Sequence, residues 1–367
     1  MSNRSSHHFV ALDFYRFIAA TAVVVYHIAL HDHEHGRLFP WVEKFNLFVD
    51  FFFVLSGFVI AHGYADRVDS WPGIATFMRR RFARLYPLHL LTLSLFLGAI
   101  AVMAALHKAP PNPEKYSLSL LPGQILLMQS WPLNAPLQFN YPAWSISVEF
   151  AMYLLFPLLM LCRRRAGIAS MVAIAGLGFV ALEVLWARGV MTAPYWDENY
   201  SPLRGLPTFT LGIIIAQVYN KVRHGVALGA LALLSGAILM VAHASDYLII
   251  ATFVAAVFLT ASGEVATPDH ALNRPIVRTL GDASYGIYML HAFVLMAFFT
   301  FVWKGREDAP GPVYVAGLVV LVIALAIVIF TAFEKPMRDW LSGRRPKPAP
   351  SLHRAGPLSE TPAKTLR

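Results

Sequence analysis

Residues 12–27 read LDFYRFIAATAVVVYH. Asp13 and Arg16 open the stretch, His27 closes it, and the residues between Arg16 and His27 are apolar or nearly so. On an α-helix the step from Arg16 to His27 is about 16 Å of rise and about three turns, so both side chains share one stripe. The stretch reads as a membrane helix whose guanidinium lies at one surface and whose imidazole reaches the opposite leaflet.

The rest of the chain has the same solvent. Its 367 residues are 57% hydrophobic and only 14% charged, against roughly a quarter charged in a soluble domain. Apolar runs suited to membrane helices recur near 9–30, 45–64, 85–106, 143–162, 167–186, 205–220, 226–243, 247–263, 280–301 and 311–333. The predicted fold is an all-α polytopic membrane protein with about ten transmembrane helices. The first run is too long for a signal-peptide core and lacks a small-residue cleavage site, so it reads as a span. With the N-terminus in the cytoplasm, 21 of the 30 Lys and Arg fall inside, eight fall outside, and Arg16 lies within the first span. That asymmetry puts both termini in the cytoplasm. It also accounts for the +9 net charge without a nucleic-acid partner. Cys162 stands alone, which excludes an internal disulfide and a cysteine metal site. Residues 1–340 are read as one transmembrane domain, and 341–367, Pro-rich and basic, as a disordered cytoplasmic tail. The 107–141 loop contains LLPGQILLMQSW, a candidate re-entrant helix.

Ionisable groups at membrane depth cost about 3 kcal/mol or more and therefore mark function. His27, Asp50 in VDFFFVLSGF and Glu149 in WSISVEFAMY lie at similar depth, outward of the middle of three spans. An imidazole flanked by a carboxylate is a general base for a hydroxyl. Each also has a plainer reading: a helix-to-helix hydrogen bond for His27, an N-cap for Asp50, an arginine partner for Glu149. Ser56-Gly57 reads first as close helix packing and second as a nucleophile.

The cluster FMRRRFARLYP carries Arg79, Arg80, Arg81 and Arg84. It anchors the following span inside, and Arg81 and Arg84, three apart on a helix start, can also fork onto phosphates. Arg16, at the same surface, can join them. Near the other end, Tyr285, Tyr288 and His291 recur every three residues, an aromatic stripe ending in an expensive imidazole. Glu334 beside Lys335 and Pro336 reads as a helix stop with an interfacial ion pair. His31, His33 and His35 read as a solvated loop, and no metal is expected.

Arg16-x10-His27, VDFFFVLSGF, RFARLYP, WSISVEFAMY and SYGIYMLH, in this order over residues 9–340, resemble the acyltransferase-3 family of integral membrane acyltransferases. That resemblance implies transfer of an acyl group, usually acetyl from cytoplasmic acetyl-CoA, to a hydroxyl of an extracytoplasmic or lipid-linked glycan. Relatives modify peptidoglycan, O-antigen, exopolysaccharides, Nod factors or macrolides, and larger ones append an esterase-like domain that is not expected here. The family's essential arginine and histidine fall on Arg16 and His27, its paired arginines on Arg81 and Arg84, its Ser-Gly-Phe block on Ser56, Gly57 and Phe58, and its carboxylates on Asp50 and Glu149. Arg16, Arg81 and Arg84 would then hold acyl-CoA, and His27, oriented by Asp50 or Glu149, would deprotonate the acceptor. An acyl-enzyme on His27 or Ser56 is the two-step alternative. The rival reading is a proton-coupled transporter or flippase of glycan precursors, which has no need for Arg81 and Arg84.

Overall fold

The computed structural model describes residues 8–31, 39–110, 113–131, 137–195, 201–221, 225–304, 306 and 310–343. Helices α1 (Val10–Leu30), α2 (Phe39–Val42), α3 (Phe48–Tyr64), α4 (Trp71–Ala105), α5 (Leu121–Ile125) and α6 (Trp144–Ala187) form the first half. The second half holds α7 (Ser201–Val218), α8 (Val226–Val241), α9 (Asp246–Ala266), α10 (Pro275–Ala297), α11 (Pro312–Ile329) and α12 (Lys335–Leu341). No strand occurs among the described residues. The ten expected spans all fall on helical residues. Seven helical stretches are long and apolar enough to cross a membrane; α8 is apolar but shorter, and α7, at 18 residues, is not among the seven. The tail from 344 onward, His33 and His35 lie outside the described residues.

Two long helices show how local chemistry sets length. At 44 residues α6 would run about 66 Å, twice the hydrocarbon thickness. Its backbone breaks at Gly167, where φ is 67° and ψ is −163°, a region open essentially to glycine alone. The break follows Arg163–Arg165, so the two limbs match the two expected spans on either side of that basic turn. Helix α4 starts at Trp71 with Pro72 in its first turn, well before the expected 85. Hydropathy detects only its apolar half; the arginine-bearing first half continues the same helix. The candidate re-entrant segment is instead a 3-10 turn at Leu118–Leu120 and the short α5, followed by Leu127 at positive φ. Pro122 and Gly123 keep it irregular, and it is held by Gln124, whose carbonyl lies 2.8 Å from His89 Nε2.

The packing centres on α1, α3 and α10. Helix α1 lies against α10 and α3, α3 against α7 and α9, α7 against α6, and α10 against α11. Glu264 of α9 accepts from the Ala11 backbone N–H at 2.6 Å, satisfying a donor that the first turn of α1 leaves open. Where α3 crosses α7, Gly57 meets Gly212: a Cβ on Gly57 would fall onto the Phe209 carbonyl, and one on Gly212 onto that of Val54. Gly57→Val is therefore expected to destabilise the fold by about 1–3 kcal/mol through overpacking against backbone that cannot yield. Thermal unfolding in detergent micelles reads the change, and an unaltered midpoint would mean that the two helices separate freely.

Candidate active site

Two cavities lie along α1 between these helices: one at its Arg16 end, called the inner, of about 430 Å³, and one at its His27 end, called the outer, of about 210 Å³. A single stripe of α3 lines the inner cavity, from Tyr64 through Ile60, Ser56 and Phe52 to Val49, a helical rise of about 22 Å. Helix α1 divides its length between the two, giving Leu12, Asp13 and Arg16 to the inner cavity and Val23, His27 and Leu30 to the outer. Val49 and Tyr288 border both, at the place where the two meet.

The inner cavity gathers five arginines, Arg16, Arg80, Arg81, Arg84 and Arg338, with three carboxylates, Asp13, Glu149 and Asp282, among its lining. Arg16 is held by Asp13 at 2.9 Å, three residues before it on α1. Asp13 also lies 3.0 Å from His8, and that hydrogen bond raises the His8 pKa above the usual imidazole value against partial burial. Arg81 donates to the Tyr64 hydroxyl at 3.3 Å, and its guanidinium sits 5.1 Å from that ring's centre. Arg84 lies 5.0 Å from the Tyr285 ring centre and pairs with Glu334, which is fully buried. Glu334 is thus no interfacial stop: the chain passes it in a π-turn at Phe330–Glu334 and continues into α12, and burial beside Arg84 decides its role. Deeper in, Glu149 Oε1 accepts from Ser56 at 2.7 Å and from the Tyr153 hydroxyl at 2.5 Å.

The outer cavity is aromatic around one imidazole. His27 Nδ1 lies 2.9 Å from the Val23 carbonyl and 3.1 Å from His291 Nε2. His291 Nδ1 in turn lies 2.7 Å from the Tyr288 carbonyl. The network assigns the protons: a carbonyl only accepts, so His291 Nδ1 carries hydrogen and its Nε2 accepts from His27 Nδ1–H. That tautomer puts the lone pair of His27 on Nε2, the nitrogen a general base needs. Tyr141 lies 5.0 Å from the His27 ring centre, and the Tyr288 hydroxyl is braced by Ser145 at 2.7 Å. His31, just past the end of α1, has its imidazole pKa lowered by partial burial against the outer cavity.

The sequence-predicted residues therefore do not share one place. Arg16, Ser56, Arg81, Arg84 and Glu149 converge on the inner cavity, His27 lies in the outer one, and Tyr288 belongs to both. His291 sits behind His27. Asp50 lines neither cavity: its carboxylate takes Arg204 by two bonds, 3.3 Å from Nε and 2.7 Å from a terminal nitrogen. The expected orientation of His27 by Asp50 or Glu149 is thus replaced by His291. Depth along a helix is legible in sequence, but Asp50 and Glu149 point to other azimuths, one toward α7 and one toward Ser56. Arg204 is the partner that the sequence reading does not name. Its signal was available, since a lone arginine in SPLRGLPTF needs a carboxylate partner at membrane depth.

Comparison with known proteins decides the family. The family model described as an acyltransferase domain matches residues 9–331. The chain belongs to the acyltransferase-3 family. This membrane acyltransferase is 30% identical to the acyltransferase MdmB of Streptomyces mycarofaciens over 90% of its own length and 92% of that relative's. It is 26% identical to nodulation protein 10 of Rhizobium leguminosarum bv. viciae over 83% of its length and 88% of the relative's. Protein 2 in the picA locus of Rhizobium radiobacter is 32% identical over 41% of this chain and 81% of its own. No solved structure is significantly similar to the chain. An acyltransferase family with apolar spanning helices makes the protein a multi-pass membrane enzyme, and it disfavours the transporter reading.

Proposed function

We propose that the enzyme moves an acyl group, acetyl above all, from cytoplasmic acyl-CoA to a hydroxyl of a cell-envelope or exported saccharide. The observation that carries this reading is the pair of cavities, one rich in guanidinium and one built around His27, meeting at Val49 and Tyr288. Acyl-CoA has an anionic head and an uncharged arm of about 15–20 Å when extended. The α3 stripe from Tyr64 to Val49 offers about that length. Arg16, Arg81 and Arg84 would hold the phosphates and the thioester would arrive where the cavities meet. His27 Nε2 would take the proton of a hydroxyl entering from the outer cavity, whose oxygen attacks the thioester carbonyl. The new C–O bond forms, the C–S bond breaks, and the departing thiolate receives a proton to leave as the thiol.

The acceptor class is supported by the outer cavity's lining. Tyr141, Trp144 and Tyr195 offer flat apolar faces, and Asn46 and Arg204 offer polar ones, a mixture suited to a sugar ring. Glu149, bonded to Ser56 and Tyr153 inside the donor cavity, would receive the amide N–H groups of the arm.

Arg81→Ala should weaken acetyl-CoA binding to the purified protein by about 1.5–3 kcal/mol, the scale of a lost charged hydrogen bond. Isothermal titration in micelles, without any ion gradient, measures it. An affinity equal to that of the unaltered protein would reduce the basic cluster to a membrane anchor and remove the acyl-CoA reading.

A further inference from the structure

The inner cavity holds more cationic groups than one diphosphate requires. Arg80, from α4, and Arg338, from α12, line it together with Arg16, Arg81 and Arg84. Arg16 and Arg84 are already neutralised by Asp13 and Glu334. Arg338 is less fully matched: it shares the charge of Glu334 with Arg84 and feels that of Asp282, but the carboxylate paired with it, that of Asp339, lies 3.8 Å from Nε, beyond hydrogen-bond length. The Nε atoms of Arg80, Arg81 and Arg338 are buried without a hydrogen-bond partner among the described residues. Buried donors are normally satisfied, and an orphaned guanidinium nitrogen in a cavity wall marks a place for a ligand acceptor.

The fold brings these two arginines to one wall although the chain separates them widely. Helix α12 packs on α4, and Arg338 stands one helical turn beyond Glu334, the residue that grips Arg84. Residues four apart share a helix face, so Arg338 faces the same wall as Glu334. It also lies beyond residue 331, where the match to the family ends.

We propose that Arg80 and Arg338 form a second phosphate site, distinct from the Arg81/Arg84 clamp, that takes a phosphomonoester. On the acyl-CoA reading above, on which this rests, that group is the ribose 3′-phosphate, which lies apart from the diphosphate on the same nucleotide. Two separated anions then meet two separated sets of forked donors. A lipid headgroup could bring the same chemistry, and the choice of donor separates the two sources.

The test uses the full chain in micelles and measures displacement by acetyl-CoA and by its 3′-dephospho analogue. The unaltered protein is expected to prefer acetyl-CoA at least tenfold. Arg338→Gln and Arg80→Gln should each lose most of that preference while binding the dephospho donor as before. Arg81→Gln should weaken both donors alike and keep the ratio. Equal affinity of the unaltered protein for the two donors overturns the second site, and so does a loss in Arg338→Gln that is the same for both. A phosphate-bearing lipid that competes equally with either donor would reassign the site to the bilayer and overturn it too. The preference of the unaltered protein is informative even if a variant fails to fold. Binding of neither donor would remove the acyl-CoA reading itself, and this site with it.

Discussion

His27→Ala is expected to lower acyl transfer by about 10²–10⁴-fold, the usual worth of a positioned general base, with acyl-CoA affinity nearly unchanged. The separation follows from the cavities. On the proposed reading donor affinity would come from phosphates held in the inner cavity, whereas His27 lines the outer one, about 16 Å further along α1 than Arg16. His291→Phe should give a smaller fall, because it removes one of two acceptors for Nδ1–H while the Val23 carbonyl still keeps the lone pair on Nε2. Glu149→Gln should leave the imidazole limb of the pH–rate profile in place, since Glu149 bonds Ser56 and Tyr153 instead. Single-turnover transfer from labelled acetyl-CoA separates binding from chemistry. Near-normal transfer by the His27→Ala enzyme sinks the mechanism, though not the family.

The second large effect concerns Arg204. Its side chain and that of Asp50 are at most 4% exposed, and Arg204 also lies 5.1 Å from the Trp144 ring centre. Removing one member of such a pair leaves an uncompensated buried charge, so Arg204→Met should cost about 3–5 kcal/mol of stability. Asp50→Leu combined with Arg204→Met should recover most of that loss, because two matched apolar side chains need no counter-charge. Thermal unfolding in micelles is the measurement. If the double variant is as unstable as the single one, the pair's cost lies in packing and not in charge.

The sequence was informative wherever the bilayer penalises a residue type. Apolar length marked the helices, the basic turn at Arg163–Arg165 anticipated the break at Gly167, and the expense of buried charge singled out Arg16, His27, Asp50 and Glu149. Partners were not legible. Which group faces Asp50 depends on the azimuth of α7, 154 residues away in the chain, and hydropathy carries no azimuth for helices apolar all round. The same blindness hid the pairing of Arg84 with Glu334, because an arginine at a span's end satisfies the charge rule whether it faces lipid headgroups or a cavity. His291 was flagged by cost alone, and its place behind His27 emerges only when α1 packs on α10.

The place where the two cavities meet, at Val49 and Tyr288, has an electrical consequence. Water in both cavities would conduct well compared with protein, so the membrane voltage would fall mainly across the thin partition there and not across the full hydrocarbon thickness. One elementary charge crossing it gains or loses about 2.3 kcal/mol per 100 mV. The proton that passes inward from the hydroxyl to the thiolate is balanced by the acyl group that passes outward from sulfur to oxygen, so the complete transfer would carry no net charge across the partition. Turnover in energised vesicles would then match turnover in micelles, and the acyl transfer would be indifferent to the bilayer's potential.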